Sequence, residues 1–310
     1  MRQRSEDVEI QKTAIVGMGA LGMMYGAHIQ RAAGKSAVVF VMDSARFQRH
    51  QNDTYTVNGV RQDFAIRDCT AEAPADLVIV ATKYNGLAAA LDVMENIIGE
   101  NTVILSVMNG ITSEGIIAAR FGDQNLVHCV ALGMDAMREG THLTYTKKGK
   151  LQIGIVDEKQ KPALLRVARF FDRIEMPYSI EEDILHAMWG KFLLNVGINQ
   201  TCMVYETTYQ GALETPAYFE AMTAAMREVI AIAHKEGVRL TEEDVKRYLK
   251  VLRTLQPDGY PSMRQDALAQ RKSEVELFAG TVLKIAEKHG VPAPTNAFFA
   301  RKIREMEAAY

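Results

Sequence analysis

Short, almost wholly apolar runs alternate with amphipathic stretches through the first half of the chain, and helical patterns, one of them largely apolar, fill the second. Val38 to Met42 and Leu77 to Ala81 are apolar at every position rather than at alternate ones, and Thr13-Ala14-Ile15-Val16 and Val103 to Val107 are so except for one hydroxyl residue each, Thr13 and Ser106. Runs of that length and kind predict strands of a parallel sheet covered on both faces. Helical spacing follows Gly17 as far as Gly34, and a helix-like segment separates the last two runs. Tyr55 to Phe64 alternates around Asn58-Gly59, which predicts a hairpin with a tight turn. From Leu126 to Ile155 the pattern reads as β segments with polar turns, expected to be edge strands that complete the sheet.

After about residue 180 the strand signals stop. Ile184 to Thr201 predicts one long apolar helix. Pro216 suits the first helical position after Thr215, and Phe219, Met222, Met226, Val229, Ile230 and Ala233 keep helical spacing until Gly237. Thr241-Glu242-Glu243-Asp244 predicts a capped start with acids where they complement the helix dipole. Further helices are expected over Ser262 to Arg271, Glu274 to His289 and Asn296 to Ala308, the last two separated by Gly290 and Pro292. The expected organisation is an α/β domain over residues 1–180 and an all-helical domain over 181–310.

Composition adds exclusions. The 310 residues are 48% hydrophobic and 24% charged, with a formal net charge of −2. That excludes a general attraction to nucleic acid or to an anionic membrane. The apolar runs fall far short of the ~20 residues of a membrane-spanning helix. The opening MRQRSEDVEIQK is charged and reads as neither signal peptide nor anchor, so a cytoplasmic location is expected. Cys69, Cys129 and Cys202 are far apart and form no CxxC, which indicates neither a disulfide framework nor a metal site.

Gly17-Met18-Gly19-Ala20-Leu21-Gly22 is GxGxxG between an expected strand and an expected helix. The first glycine permits the tight turn, the second lets backbone approach a pyrophosphate, and the third lets helix and strand pack closely. The helix N-terminus supplies positive potential. Asp43 ends the next strand, where an acid usually binds the adenosine ribose, which favours NAD(H). Arg46, three residues on, could instead meet a 2′-phosphate or be a solvated charge.

The long apolar helix carries a second candidate. Lys191, Asn195 and Asn199 are four apart, about 40° of rotation each, and so share one face. A desolvated lysine there can give up a proton near neutral pH, and the amides can hold a hydroxyl or carbonyl oxygen. A polar seam with a snorkelling lysine is the plainer alternative. Ser262 and Gln265 have the spacing of a capping box, and a serine at a helix start also suits a carboxylate. Glu274 reads either as a surface acid or as a partner of Lys191.

Taken together, these segments resemble the ketopantoate reductase family over nearly the whole chain. The resemblance rests on Gly17 to Gly22, Ala81-Thr82-Lys83, Asn109-Gly110 with Glu114, and Trp189 to Asn199. Pro261-Ser262-Met263 with Gln265-Asp266, Arg271 to Gly280 and Gly290 to Asn296 complete it. It implies a Rossmann-type dinucleotide-binding domain followed by an all-helical domain, and reduction of 2-dehydropantoate to pantoate with NADP(H) on the route to coenzyme A. Lys191 would protonate the carbonyl oxygen, with Glu274 beside it. Asn195 and Asn199 would bind the substrate's polar groups and Ser262 its carboxylate, while Lys83 and Asn109 would line the cofactor cleft. The alternatives left open are a related dehydrogenase of another 2-keto or 3-hydroxy acid, and a non-catalytic dinucleotide sensor. A homodimer also stays open, because the apolar faces of helices such as 216–236 could be buried internally or against a second copy.

Overall fold

The computed structural model describes residues 9–310. The reading of the opening segment as neither signal nor anchor therefore falls mostly outside the described residues. The chain forms two compact units, one ending at Ile184 and the other running from Leu185 to Tyr310.

The strands of the first unit are β1 (Thr13–Val16), β2 (Val38–Met42), β3 (Tyr55–Val57), β4 (Val60–Gln62), β5 (Ile66–Asp68) and β6 (Leu77–Val80). They continue with β7 (Val103–Ser106), β8 (Leu126–Met134), β9 (Met137–Glu139), β10 (His142–Thr144), β11 (Lys148–Gly154) and β12 (Tyr178–Ile180). Eight of them make one sheet in the order β12-β11-β8-β7-β6-β1-β2-β5. Every neighbouring pair is parallel except β8 with β11. Thr13 stands opposite both Val38 and Leu77, so the three central strands start level.

Because side chains alternate across a strand, these apolar runs feed two cores. Ile15, Phe40, Ile79 and Leu105 join one, with Met23, Met24 and Ile29 of α1 (Ala20–Ala33) and Val167 and Phe171 of α5 (Lys161–Arg173). Ala14, Val39, Val78 and Ile104 join the other, with Leu87, Leu91 and Met94 of α3 (Leu87–Met94) and Ile117 of α4 (Ser113–Phe121). Helices thus cover both faces, as continuous apolarity requires.

The expected hairpin forms: β3 pairs antiparallel with β4 through Asn58 (φ 48°) and Gly59 (φ 77°), the two positive φ values of a type I′ turn. Of the segments expected to be edge strands, only β8 and β11 join the large sheet. β9 and β10 instead pair with the hairpin in a second sheet, β4-β3-β10-β9. The stretch between β8 and β11 turns back on itself, β10 running antiparallel to β9, and β10 takes β3 as its parallel partner.

The second unit is helical: α6 (Ile184–Val204), α7 (Tyr209–Glu214), α8 (Pro216–Lys235), α9 (Glu242–Leu252), α10 (Ser262–Leu268), α11 (Thr281–His289) and α12 (Pro294–Glu307). Pro216 opens α8 after Thr215, and the Thr241 amide donates to the Asp244 carboxylate at 2.9 Å at the start of α9. The helix expected from Glu274 is shorter and in two parts: Glu276–Gly280 is a π-helical turn and α11 continues from it. Among the described residues no helix is long and apolar enough to cross a membrane.

Candidate active site

The large sheet reverses its direction of winding at the β1–β6 pair, since β1 connects to β2 on one side and β6 to β7 on the other. In open α/β sheets the crevice beyond the strand ends at that point is where ligands bind. The Gly17–Gly22 turn leaves β1 there, Ala81-Thr82-Lys83 leaves β6 and Met108-Asn109-Gly110 follows β7. The loops are strapped together: Ala81 N–H donates to Val16 O at 2.8 Å, Val107 N–H to Val80 O at 3.0 Å, and Thr82 Oγ1 to Met108 Sδ at 3.6 Å.

The glycines of the turn serve different ends. Gly17 has φ 113°, and a Cβ on it would lie 2.5 Å from Ala81 O. A Cβ on Gly22 would strike Gly17 O at 2.0 Å. Gly19 is different, because a Cβ there would meet only Ala81 O at 3.5 Å, an ordinary contact. The protein's own packing does not require glycine at 19, and the open space lies at the start of α1. That start has Gly19 as N-cap, no side-chain cap and no acid in the first turn. The first amides, at Ala20, Leu21 and Gly22, therefore have no intrahelical acceptor, and an anion is favoured beside them. The residues fit a dinucleotide pyrophosphate.

Beside this turn lies a cavity of about 300 Å³, lined by Gly17, Met18, Met42, Thr82 and Ala90, with Arg46, His50, Tyr55 and Arg138 among its polar walls. Asp43 is not among its lining residues. It caps the Ser44–His50 helix (α2): its Oδ1 accepts from Arg46 N–H at 2.9 Å, and its Oδ2 stands 3.6 Å from Arg46 Nε. The carboxylate is thus already engaged, while the arginine reaches the cavity. Arg138, on β9, and Tyr55, on β3, come from the small sheet; no local motif in the sequence points to them.

In the second unit, α6 is packed by its glycines. A Cβ on Gly190 would meet Tyr248 Oη at 2.5 Å, and one on Gly197 would meet Met226 Cγ at 2.7 Å. The face of Lys191, Asn195 and Asn199 is centred about 150° around the helix from that contact. Lys191 and Asn195 are half-buried and Asn199 is 5% exposed. Next to Asn199, Gln200 donates to Asn296 Oδ1 at 3.0 Å, and Asn296 donates from Nδ2 to Glu228 at 2.7 Å. This buried chain anchors α6 against α12 and α8.

Glu274 lies just before the π-helical turn, and its backbone carbonyl accepts from Leu277 and Phe278. Phe278 packs its ring 6.3 Å from that of Phe192, which neighbours Lys191, so the segments carrying Lys191 and Glu274 meet through these rings. Ser262 does not form the expected capping box. Pro261, extended at ψ 171°, is the N-cap, which makes Ser262 the first helical residue, one position too late to cap. Gln265 turns to Tyr260 O at 3.3 Å instead. Ser262 is exposed at the start of α10.

Residues 13–158 match the family description Ketopantoate reductase PanE/ApbA, and residues 183–307 match its C-terminal counterpart. The chain belongs to the ketopantoate reductase family. It is an oxidoreductase of that family, with the dinucleotide-binding fold in its first unit and the family's helical fold in its second. A 2-dehydropantoate 2-reductase of Aquifex aeolicus is 25% identical over 96% of this chain and 97% of its own. The dimeric ketopantoate reductase of Staphylococcus aureus superimposes with a TM-score of 0.80 at 21% identity, covering 96% of this chain and 99% of that one. A D-mandelate dehydrogenase, solved with NADH and anilino(oxo)acetate, gives 0.86 at 21% identity with the same coverage. Ketopantoate reductases and a D-mandelate dehydrogenase thus share this fold.

Proposed function

We propose that the protein reduces 2-dehydropantoate to pantoate with NADPH, in the cytoplasm. The observation that carries this reading is the family match running through both units, 13–158 and 183–307. The bound nicotinamide would supply a hydride to the ketone carbon. Every other task falls to the chain's own residues. Gly19 and the amides of Ala20, Leu21 and Gly22 hold the pyrophosphate, and Lys83 and Asn109 line the nicotinamide end. Arg46, with Asp43 beside it, faces the adenosine end.

Lys191 gives its proton to the substrate oxygen as negative charge develops there, which is where a placed cation lowers a barrier most. Asn195 and Asn199 hold the substrate's polar groups, Ser262 its carboxylate, and Glu274 orients the lysine. NADPH is favoured over NADH because Arg46 lines the cavity while the Asp43 carboxylate is engaged as a helix cap. The test is oxidation of NADPH and of NADH at 340 nm with 2-dehydropantoate and the purified protein. Turnover confined to NADH would overturn the cofactor assignment.

A second reading has its own support: the similarity to D-mandelate dehydrogenase favours a different 2-keto acid as substrate. Turnover of an aryl 2-keto acid but not of 2-dehydropantoate would establish it. Dinucleotide binding without turnover of any keto acid would instead mark a sensor. A homodimer is proposed for the solution state, and light scattering would detect it.

A further inference from the structure

A buried polar chain ends at the loop that carries Asn109. Ser106 closes β7, Ser113 opens the Ser113–Phe121 helix (α4), and Glu114 follows; their exposures are 0, 2 and 4%. Ser113 Oγ donates to Glu114 Oε2 at 2.8 Å, Ser106 Oγ lies 2.9 Å from Ser113 Oγ, and Met108 N–H donates to Ser106 Oγ at 3.4 Å. Glu114 stands in the first turn of α4, where the helix dipole favours a negative charge. With the Ser113 proton given to Glu114, the Ser106 proton must point to Ser113 and a lone pair of Ser106 to the Met108 amide. One acid sets the direction of every link, and such chains reinforce themselves in a low-dielectric interior.

The chain also ties together the two ends of residues 107–112, because Ser106 is the last residue of the strand and Ser113 the first of the helix. Met108 is further held by Thr82 from the loop after β6. Asn109 sits between this fixed amide and Gly110, whose φ of 90° turns the backbone away.

We propose that Glu114 is a positioning residue for Asn109, acting through Ser113 and Ser106. The proposal rests on the assignment of Asn109 to the reacting end of the site. In Glu114→Gln the terminal amide can donate as well as accept, so the direction of the chain is lost. In Ser113→Ala the chain is cut without touching the acid. Misplacement of a positioned group by about 1 Å can cost ~100-fold in rate, so a loss of ~10-fold or more in kcat is expected in each variant. KM for the dinucleotide should rise by less than kcat falls, because Asn109 meets only its nicotinamide end.

The decisive comparison is a double-mutant cycle. In an Asn109→Ala background, Glu114→Gln should cost nothing further; independent, multiplying losses would overturn the proposal. Hydrogen–deuterium exchange of the peptide spanning 107–112 gives a readout that needs no turnover. Faster exchange there in both variants, with the rest of the first unit unchanged, supports the proposal, and unchanged exchange refutes it. If the unaltered protein reduces no keto acid, the functional reading fails, and the exchange result still decides whether Glu114 orders the loop. Ser113→Ala provides both readouts if Glu114→Gln does not fold.

Discussion

The Cβ that Gly22 lacks would lie 2.0 Å from the carbonyl oxygen of Gly17, so the third glycine of the turn is there for the protein itself. Gly19, with open space at its Cβ position, is there for something else. The two positions should therefore separate stability from binding. Gly22→Ala must displace backbone and should destabilise the first unit by about 1–3 kcal/mol or more. Gly19→Ala keeps an allowed backbone (φ −73°) and should cost under about 1 kcal/mol, the difference between Gly and Ala as an N-cap. Its dinucleotide Kd should nonetheless rise ~10-fold or more, since the methyl occupies the approach to the amides. Thermal unfolding and a fluorescence titration check both; tight binding by Gly19→Ala would remove the pyrophosphate from this turn.

Lys191→Ala should lower kcat by about 10²–10⁴-fold while dinucleotide affinity changes little, as expected for a general acid. Stopped-flow and steady-state assays would read this with the NADPH titration alongside. Unchanged turnover would return Lys191 to the role of a snorkelling surface lysine.

The central strands are legible in the sequence because burial on both faces removes polar alternation: Val38 to Met42 and Leu77 to Val80 have no polar position to confuse the reading. The hairpin is legible for a local reason, the Asn58-Gly59 pair. The small sheet is not legible, because β10 meets β3 across 86 positions, with His142 beside Thr56, and no local pattern specifies that pairing. Arg138 is therefore brought to the cavity by tertiary structure alone. The four-residue spacing of Lys191, Asn195 and Asn199 is visible, but what turns that face away from α8 and α9 is the close contact of Gly197 with Met226 and of Gly190 with Tyr248. Ser262 has the serine–glutamine spacing of a cap, but the extended Pro261 moves the cap one residue earlier.

Arg46 and Arg138 both line the cavity, one from α2 and one from β9. Arg46→Ala and Arg138→Ala should each weaken NADPH by about 10–100-fold, the range of a lost hydrogen bond to a charged group, and weaken NADH much less. Asp43→Ala should act in the other direction on selectivity, weakening NADH more than NADPH, while removing the cap of α2 at about 1 kcal/mol. Paired Kd measurements for the two dinucleotides decide the matter. Equal effects on both would show that neither arginine meets a 2′-phosphate and that Asp43 is not a ribose ligand.

The last prediction concerns acid stability. His128, on β8, is buried, and burial lowers its pKa to about 4 from an ordinary 6.5. Its Nδ1 has no hydrogen-bond partner among the described residues. Between pH 6.5 and about 4 the unfolded chain binds a proton here that the folded chain refuses, so stability falls as pH falls through that window and levels off below it. A shift of this size corresponds to about 3 kcal/mol at full extent. Carboxylates add their own acid dependence, so the contribution of His128 is read as a difference between proteins. His128→Leu removes the titrating group while keeping an apolar filling, and should flatten the decline in unfolding free energy between pH 7 and 4.5 relative to the unaltered chain. Denaturant titrations at several pH values measure this directly. Parallel curves for the two proteins would mean that the imidazole takes up its proton in the folded state as readily as in the unfolded one.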